Sequence, residues 1–246
     1  MNKAMIHIFR VILPLALLAA GCSKMESDRL ADDSPYGEQN YYYNGSVLKE
    51  DLLAVATLRS RDGIRFLQLD PQSVGYIVNQ KEVSDIQDKT RVFVQYKSVA
   101  SERPVFCTES VWVDWATSLD VGSRSLLTFE EAYSNESFLA TAPVDIVLDW
   151  ITSLEDGFLT LHYTIPASGE NKHSFTLFRS WEQGYHFFLV HDAQGDTEGP
   201  LTDGIVCFPV ENLLPDTGGE TITLSLTYLN LKNTPTTLTV DYRTQK

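Results

Sequence analysis

Basic side chains are in short supply in this 246-residue sequence. Its 19 Lys and Arg stand against 33 Asp and Glu, a formal net charge of −14. That surplus repels phosphate backbones and other anionic surfaces, so nucleic-acid binding is disfavoured. Cysteine is scarcer still: the 3 present, at positions 22, 107 and 207, are too few for a disulfide framework. Cys107 and Cys207 fall in strand-like runs in different halves of the chain, and two buried thiols are expected there, since a bridge would have to staple two domains together. Long apolar runs are missing too. The stretch 11–20 stops short of the roughly 20 apolar residues that a membrane span needs. GxSxG, HExxH, CxxC, GxxxxGK[ST] and GxGxxG are all absent, which removes the common local signatures of hydrolysis, zinc chemistry, thiol redox and nucleotide binding. No catalytic residue, metal ligand or cofactor is assigned.

What is present begins with an address. Lys3 and Arg10 precede the apolar stretch, and Ala19, Ala20 and Gly21 end it directly before Cys22. A positive start, a short apolar middle and small residues describe a secretory signal over 1–21. The residues around Cys22 resemble the lipobox of bacterial lipoproteins, with Ala19 where the commonest form has Leu. That resemblance implies a lipidated Cys22 at the mature N-terminus, and two acyl chains already suffice for stable anchoring. Residues 22–44 carry Ser, Pro, Gly and acids without apolar periodicity and read as a leash, with a reach of roughly 25 Å if it is a random coil. In Bacteroidetes, a polar and acidic stretch behind such a cysteine resembles a signal for export to the cell surface. The expectation is an extracytoplasmic protein tethered by lipid to the outer membrane, facing either the periplasm or the outside.

The remaining periodicity is of the strand type. Runs at 52–60 and 64–70 flank Asp62-Gly63, a hairpin signal. With further runs at 74–78, 91–98 and 105–113, residues 45–113 suit a small OB-like barrel. Alternation then lapses, and 114–141 reads as a connector with one helical turn near 129–132. Beyond it, in VDIVLDWI, the residues Val144, Ile146, Leu148 and Trp150 share an apolar face opposite Asp145, Val147 and Asp149. SLEDG (153–157) reads as a turn. In FLTLHYTI, Leu159, Leu161, Tyr163 and Ile165 face a core, while Thr160, His162 and Thr164 face solvent. Strands at 173–180, 185–191, 203–210, 221–229 and 236–242 complete a second domain over 142–246. Seven half-apolar strands need a second sheet to cover them, which predicts an antiparallel β-sandwich. The fold class is all-β.

The order of lipobox, acidic leash, barrel, connector and sandwich resembles the NigD-like lipoproteins of Bacteroidetes. The stretches that carry the likeness are PVDIVLDWITSLEDGFLTLHYTI (143–165), HSFTLFR (173–179) and HDAQGD (191–196). The short loop 181–184 departs from the longer segment expected in that family. The resemblance implies an OB-type domain followed by a sandwich, and a role in the cell envelope. The family takes its name from a bacteriocin gene cluster, where an immunity-type role was suggested. It brings no catalytic residues.

Four histidines, His162, His173, His186 and His191, lie in the second domain, but none has a sequence-local partner at metal-binding spacing. Asp145 and Asp149, four residues apart on one strand, would sit roughly 13 Å apart, too far for a glycosidase pair. Asp192 and Asp196 around Gly195 suggest an Asx-stabilised turn more than a calcium loop. Candidate partner-binding residues are the aromatics: Trp181 in a predicted hairpin loop, Tyr185 beside it, and Tyr41, Tyr42 and Tyr43 ending the leash. Such rings can stack on a sugar or anchor a protein, although they can also pack on their own domains. The reading is a non-catalytic, lipid-anchored envelope protein that binds a protein or glycan partner, in its sharper form a bacteriocin-immunity protein. The alternative is a structural or assembly component of an envelope complex.

Overall fold

The computed structural model describes residues 42–43, 46–47, 51–127, 141–180, 185–214 and 216–243, with 42–43, 46–47 and 125–127 as backbone only. Cys22, Tyr41, Trp181, most of the leash and the turn expected near 129–132 lie outside the described residues. Among those described, the architecture is all-β, as the alternation predicts.

Strands β1 (Tyr42–Tyr43) and β2 (Ser46–Val47) pair antiparallel. The next five, β3 (Leu52–Arg61), β4 (Ile64–Gln68), β5 (Val74–Ile77), β6 (Thr90–Val99) and β7 (Glu109–Ser118), close a barrel in the order β3-β4-β5-β7-β6. Asp62 and Gly63 join β3 to β4 with φ of 53° and 79°, the doubly left-handed turn whose twist matches that of paired strands. β5 lies parallel to β7, and β6 returns to β3, giving the five-stranded Greek-key closure of an OB barrel. Leu58, Leu67, Ile77, Val92, Val94 and Val111 fill the interior.

The last barrel strand is displaced from its expected position. Val105 sits in a turn closed by the Cys107 N–H donating to the Pro104 carbonyl at 3.0 Å. β7 starts at Glu109 and continues to Ser118, into the segment read as connector. A bulge explains why this was illegible. Gln95 faces Trp115 while Tyr96 faces Val113, so Asp114 is an extra residue and the alternation breaks across it.

The rest of that segment also becomes strand. β8 (Asp120–Val121) joins one sheet of the sandwich and β9 (Ser123–Leu127) the other, so the chain changes sheets at Gly122. The Gly122 N–H donates to the Cys207 carbonyl at 2.9 Å, and a Cβ there would come within 2.1 Å of the Phe208 ring. One sheet runs β10 (Asp145–Val147), β12 (Phe158–Pro166), β15 (Leu201–Pro209), β8, with β11 (Ser153–Glu155) also on β12. The other runs β17 (Pro235–Tyr242), β16 (Ile222–Leu229), β14 (His186–Asp192), β13 (Ser174–Ser180), β9. The sandwich is mixed, with β8 on β15, β9 on β13 and β14 on β16 all parallel. Leu161, Leu177, Leu189, Val206, Phe208 and Leu226 lie in the core between the sheets.

Three expectations for this domain fail. β10 ends at Val147, because Asp149 turns the chain: its Oδ1 accepts the N–H groups of Ile151 and Thr152 at 3.0 and 3.4 Å. Leu148 and Trp150 therefore leave the apolar face and stand 73% and 54% exposed, while Ile151 is buried in their place. Ser153–Glu155 is strand, and the turn narrows to Asp156-Gly157, both left-handed. The supposedly solvated face of β12 is also covered. Thr160 is wholly buried and His162 nearly so, because the barrel packs on Thr160 and the Asp149 turn packs on His162.

Candidate functional site: the seam between barrel and sandwich

The outward face of β6 carries Arg91, Phe93, Gln95 and Lys97 in succession, a period-two series that a single strand dictates. Arg91 is 2% exposed and sits where barrel and sandwich meet. Its Nη1 donates to Thr57 Oγ1 at 3.1 Å on the barrel side. Its Nε donates to Thr160 Oγ1 at 3.3 Å and its Nη2 to Glu155 Oε2 at 3.2 Å on the sandwich side. Burial lowers the pKa of this guanidinium from its ordinary value, and Glu155 opposes that fall. A desolvated cation with this many partners fixes one docking geometry, since any slip would leave it unpaired.

A second pair reinforces the seam. Arg59 of β3 grips Asp156 through both carboxylate oxygens, its Nε lying 2.9 Å from Oδ2. The hydrogen bond to Asp156 raises the Arg59 pKa. The left-handed turn at Asp156-Gly157 aims that carboxylate at the barrel.

Beside these pairs a cleft of about 300 Å³ opens between the domains. Arg59, Asp70 and Arg91 line it from the barrel, and Glu155, Asp156 and Glu211 from the sandwich. Tyr242 and Arg243, at the end of β17, close one side. Charged side chains share its walls with Leu69, Pro71 and Leu154, and domain boundaries are favoured places for ligand clefts. On the far side of Arg91 along β6, Phe93 is covered by Trp150 from the Asp149 turn, with ring centroids 6.1 Å apart and planes at 25°.

The residues singled out in the sequence are placed as follows. Tyr185 is half-buried against the sandwich core, with the Arg179 guanidinium 5.8 Å from its ring and its carbonyl accepting the Ser225 N–H at 3.0 Å. Tyr42 and Tyr43 form β1. Tyr41 and Trp181, like Cys22, lie outside the described residues. Cys107 and Cys207 are buried free thiols, and burial raises the pKa of both, Cys207 to about 11.

The histidines split. Nδ1 of His173 lies 2.8 Å from Nε2 of His191, and the other nitrogen of His173 lies 3.5 Å from Asp196 Oδ2. Asp196 accepts the N–H groups of Ser168 and Gly169 at 2.8 and 3.1 Å, and Asp192 accepts the Gln194 N–H in an Asx turn. The motif HDAQGD is thus a loop clasp. No group of three or more His, Cys, Asp or Glu among the described residues could hold a metal ion. No helix of the described residues is long and apolar enough to cross a membrane.

Sequence reasoning missed Trp150 as an exposed ring and Arg91 as a buried charge. An Asp followed by Ile and Thr two and three residues later is the one local signal that could have ended β10 early. Nothing local marks Arg91, whose burial depends on a strand more than sixty residues away.

Residues 125–242 match the model of the NigD-like C-terminal beta sandwich domain. Among solved structures, the chain is similar to a protein described as toxin related from Parabacteroides distasonis, with a TM-score of 0.64 and 21% identity over 79% of this chain and 94% of that one. A NigD-like immunity protein from Bacteroides caccae aligns with a TM-score of 0.56 and 20% identity, covering 79% and 98% of the two chains. A protein described as a lipoprotein from Bacteroides fragilis aligns at 0.55 with 8% identity, covering 80% and 100%. No curated protein sequence matches the chain.

Proposed function

We propose that this chain, a NigD-like protein through its C-terminal β-sandwich domain, is a lipid-anchored protein of the cell envelope that binds a partner without catalysing a reaction on it. The observation that carries the reading is the cleft of about 300 Å³ between barrel and sandwich, lined by the Arg91–Glu155 and Arg59–Asp156 pairs. A rigid, charged cleft shared by two domains suits capture, because its groups are positioned before the partner arrives. The similar protein from Bacteroides caccae is an immunity protein by description, which supports a protein partner, and a bacteriocin is the sharpest form of that reading. Cys22 is the anchor in this picture and the leash sets the reach of the body from the membrane.

Photo-crosslinking from position 211 in intact cells tests it. A single envelope adduct that is lost in Arg59→Glu is the expected result. The reading is overturned if no adduct forms, or if crosslinkers placed elsewhere on the body give the same adducts. Protease treatment of the same cells separates a surface-exposed body, which is digested, from a periplasmic one. Cys22→Ala is expected to release the protein from the membrane fraction.

A further inference from the structure

Among the described residues Trp150 is the largest exposed hydrophobic side chain, 54% exposed although it belongs to an apolar alternation. One face of its ring lies on Phe93 at 6.1 Å and 25°, and the exposure leaves the other face to solvent. Phe93 also meets Trp115, centroids 5.5 Å apart, so three rings from β6, β7 and the Asp149 turn form one patch. The patch is stiff. Trp115 donates from Nε1 to Gln95 Oε1. The turn under Trp150 is pinned by Asp149 to two backbone N–H groups and, at 2.8 Å, to His162 Nδ1.

The surroundings select an occupant. Hydrogen-bonding groups ring the patch. Gln95 keeps its Nε2 without a partner among the described residues, and Asp149 is 29% exposed at its side chain. Beyond Gln95 on β6, Lys97 is held between Asp51 and Asp114 at 3.0 and 3.1 Å. The cations on this strand face, Arg91 and Lys97, are already paired with carboxylates, and the chain as a whole carries −14, so a phosphate or sulfate group would be repelled. Nucleobases, which also stack on tryptophan, are disfavoured with their phosphates. A flat protein partner needs a broad apolar centre, whereas here Leu148 is the one large exposed aliphatic side chain on the same turn. An uncharged ring with an apolar face and hydroxyl edges fits the open ring and the polar rim together.

We propose that Trp150, backed by Phe93 and Trp115, is a stacking platform for a pyranose unit of a neutral oligosaccharide, with Gln95 and Asp149 bonding its hydroxyls. This rests on the reading of the chain as a binding protein and names one class of partner for it, at a place distinct from the cleft. The site assigns binding only, with no bond made or broken.

The test is titration of the full chain with cellohexaose, xylohexaose, mannohexaose and maltohexaose, followed by tryptophan fluorescence, with a heparin hexasaccharide as the anionic control. A saturable change is expected with at least one neutral hexaose and none with heparin. Trp150→Ala should weaken it at least about tenfold in a protein that still unfolds cooperatively, and Trp150→Phe should retain most of it. The proposal is overturned if no neutral hexaose gives a saturable signal up to about 10 mM, or if Trp150→Ala binds as the parent does. An envelope protein whose crosslink from position 211 needs Trp150, with no sugar response, would make the patch a protein anchor and overturn the glycan assignment. A crosslink independent of Trp150 with no sugar response would sink the platform alone and leave the binding reading standing.

Discussion

His173 and His191 share a hydrogen bond, Nδ1 to Nε2 at 2.8 Å, inside the sandwich. The other nitrogen of His191 lies 3.1 Å from the Pro143 carbonyl. A carbonyl can only accept, so that nitrogen carries the proton, Nε2 accepts and His173 donates. Through this pair the chain ahead of β10 is tied to β13 and β14, and Asp196, 3.5 Å from the other nitrogen of His173, holds the loop at Ser168 and Gly169 by its own hydrogen bonds.

That pair sets a pH dependence. Burial, with the neighbouring His173, pulls the His191 pKa down to about 4. The unfolded chain takes up that proton near 6.5 and the native state refuses it. The stabilisation is therefore complete above about 6.5 and is lost as pH falls toward 4, by about 3 kcal/mol in all. His186, lowered by burial too, adds in the same direction. Asp196, held low first by the Ser168 N–H, loses its share only at more acid pH. Urea midpoints measured between about pH 7 and 4 should fall steadily, and His191→Gln should flatten the slope. An unchanged slope in that variant would contradict the assignment.

Arg91→Ala strands Glu155 and removes a side chain that is 1% exposed. A loss of about 3–5 kcal/mol is expected by urea unfolding, whereas Arg91→Met, which fills the space without the charge, should lose much less. Equal losses for both would mean that volume, and not pairing, holds the seam.

Gly122→Ala should destabilise the sandwich by about 1–3 kcal/mol, because the new methyl displaces the fully buried ring of Phe208. Gly63→Ala makes the useful contrast. Its Cβ meets nothing, so only the strain of its left-handed backbone is felt. A Gly122→Ala protein as stable as the parent would show that β8 and β9 do not pass between sheets there.

Asp149→Ala releases the two N–H groups at Ile151 and Thr152 and the contact to His162. The expected loss is about 1–2 kcal/mol, with a red shift in tryptophan emission as Trp150 lifts from Phe93. Asp149→Asn keeps an acceptor and should lie between. Unaltered emission in Asp149→Ala would show that Trp150 holds its place without the turn.

Cys107 and Cys207 should resist a disulfide reagent near neutral pH in the native protein and react stoichiometrically after unfolding, because burial keeps both as thiols. Counting released reagent in a Cys22→Ser background checks it. Fast native reaction at either position would contradict its burial.

Much of the fold could be read from local chemistry alone. Alternation of period two in β12, β13, β16 and β17, and Asp62-Gly63 between β3 and β4, act between near neighbours in the chain, so the sequence carries them in plain view. The scarcity of cysteines likewise argues against a disulfide scaffold from the sequence alone. Tertiary structure alone decided the rest. A bulge at Asp114 and a change of sheet at Gly122 interrupt the pattern for the sake of distant partners, which turned strand into apparent connector. Thr160 and His162 read as solvated because a sequence shows which residues share a face and not what lies over it. Arg91 is buried, and Trp150 stacks on Phe93, only because one domain docks on the other: the desolvation of a charge and the stacking of a ring are set by atoms that β6, β12 and the Asp149 turn bring together from remote parts of the chain.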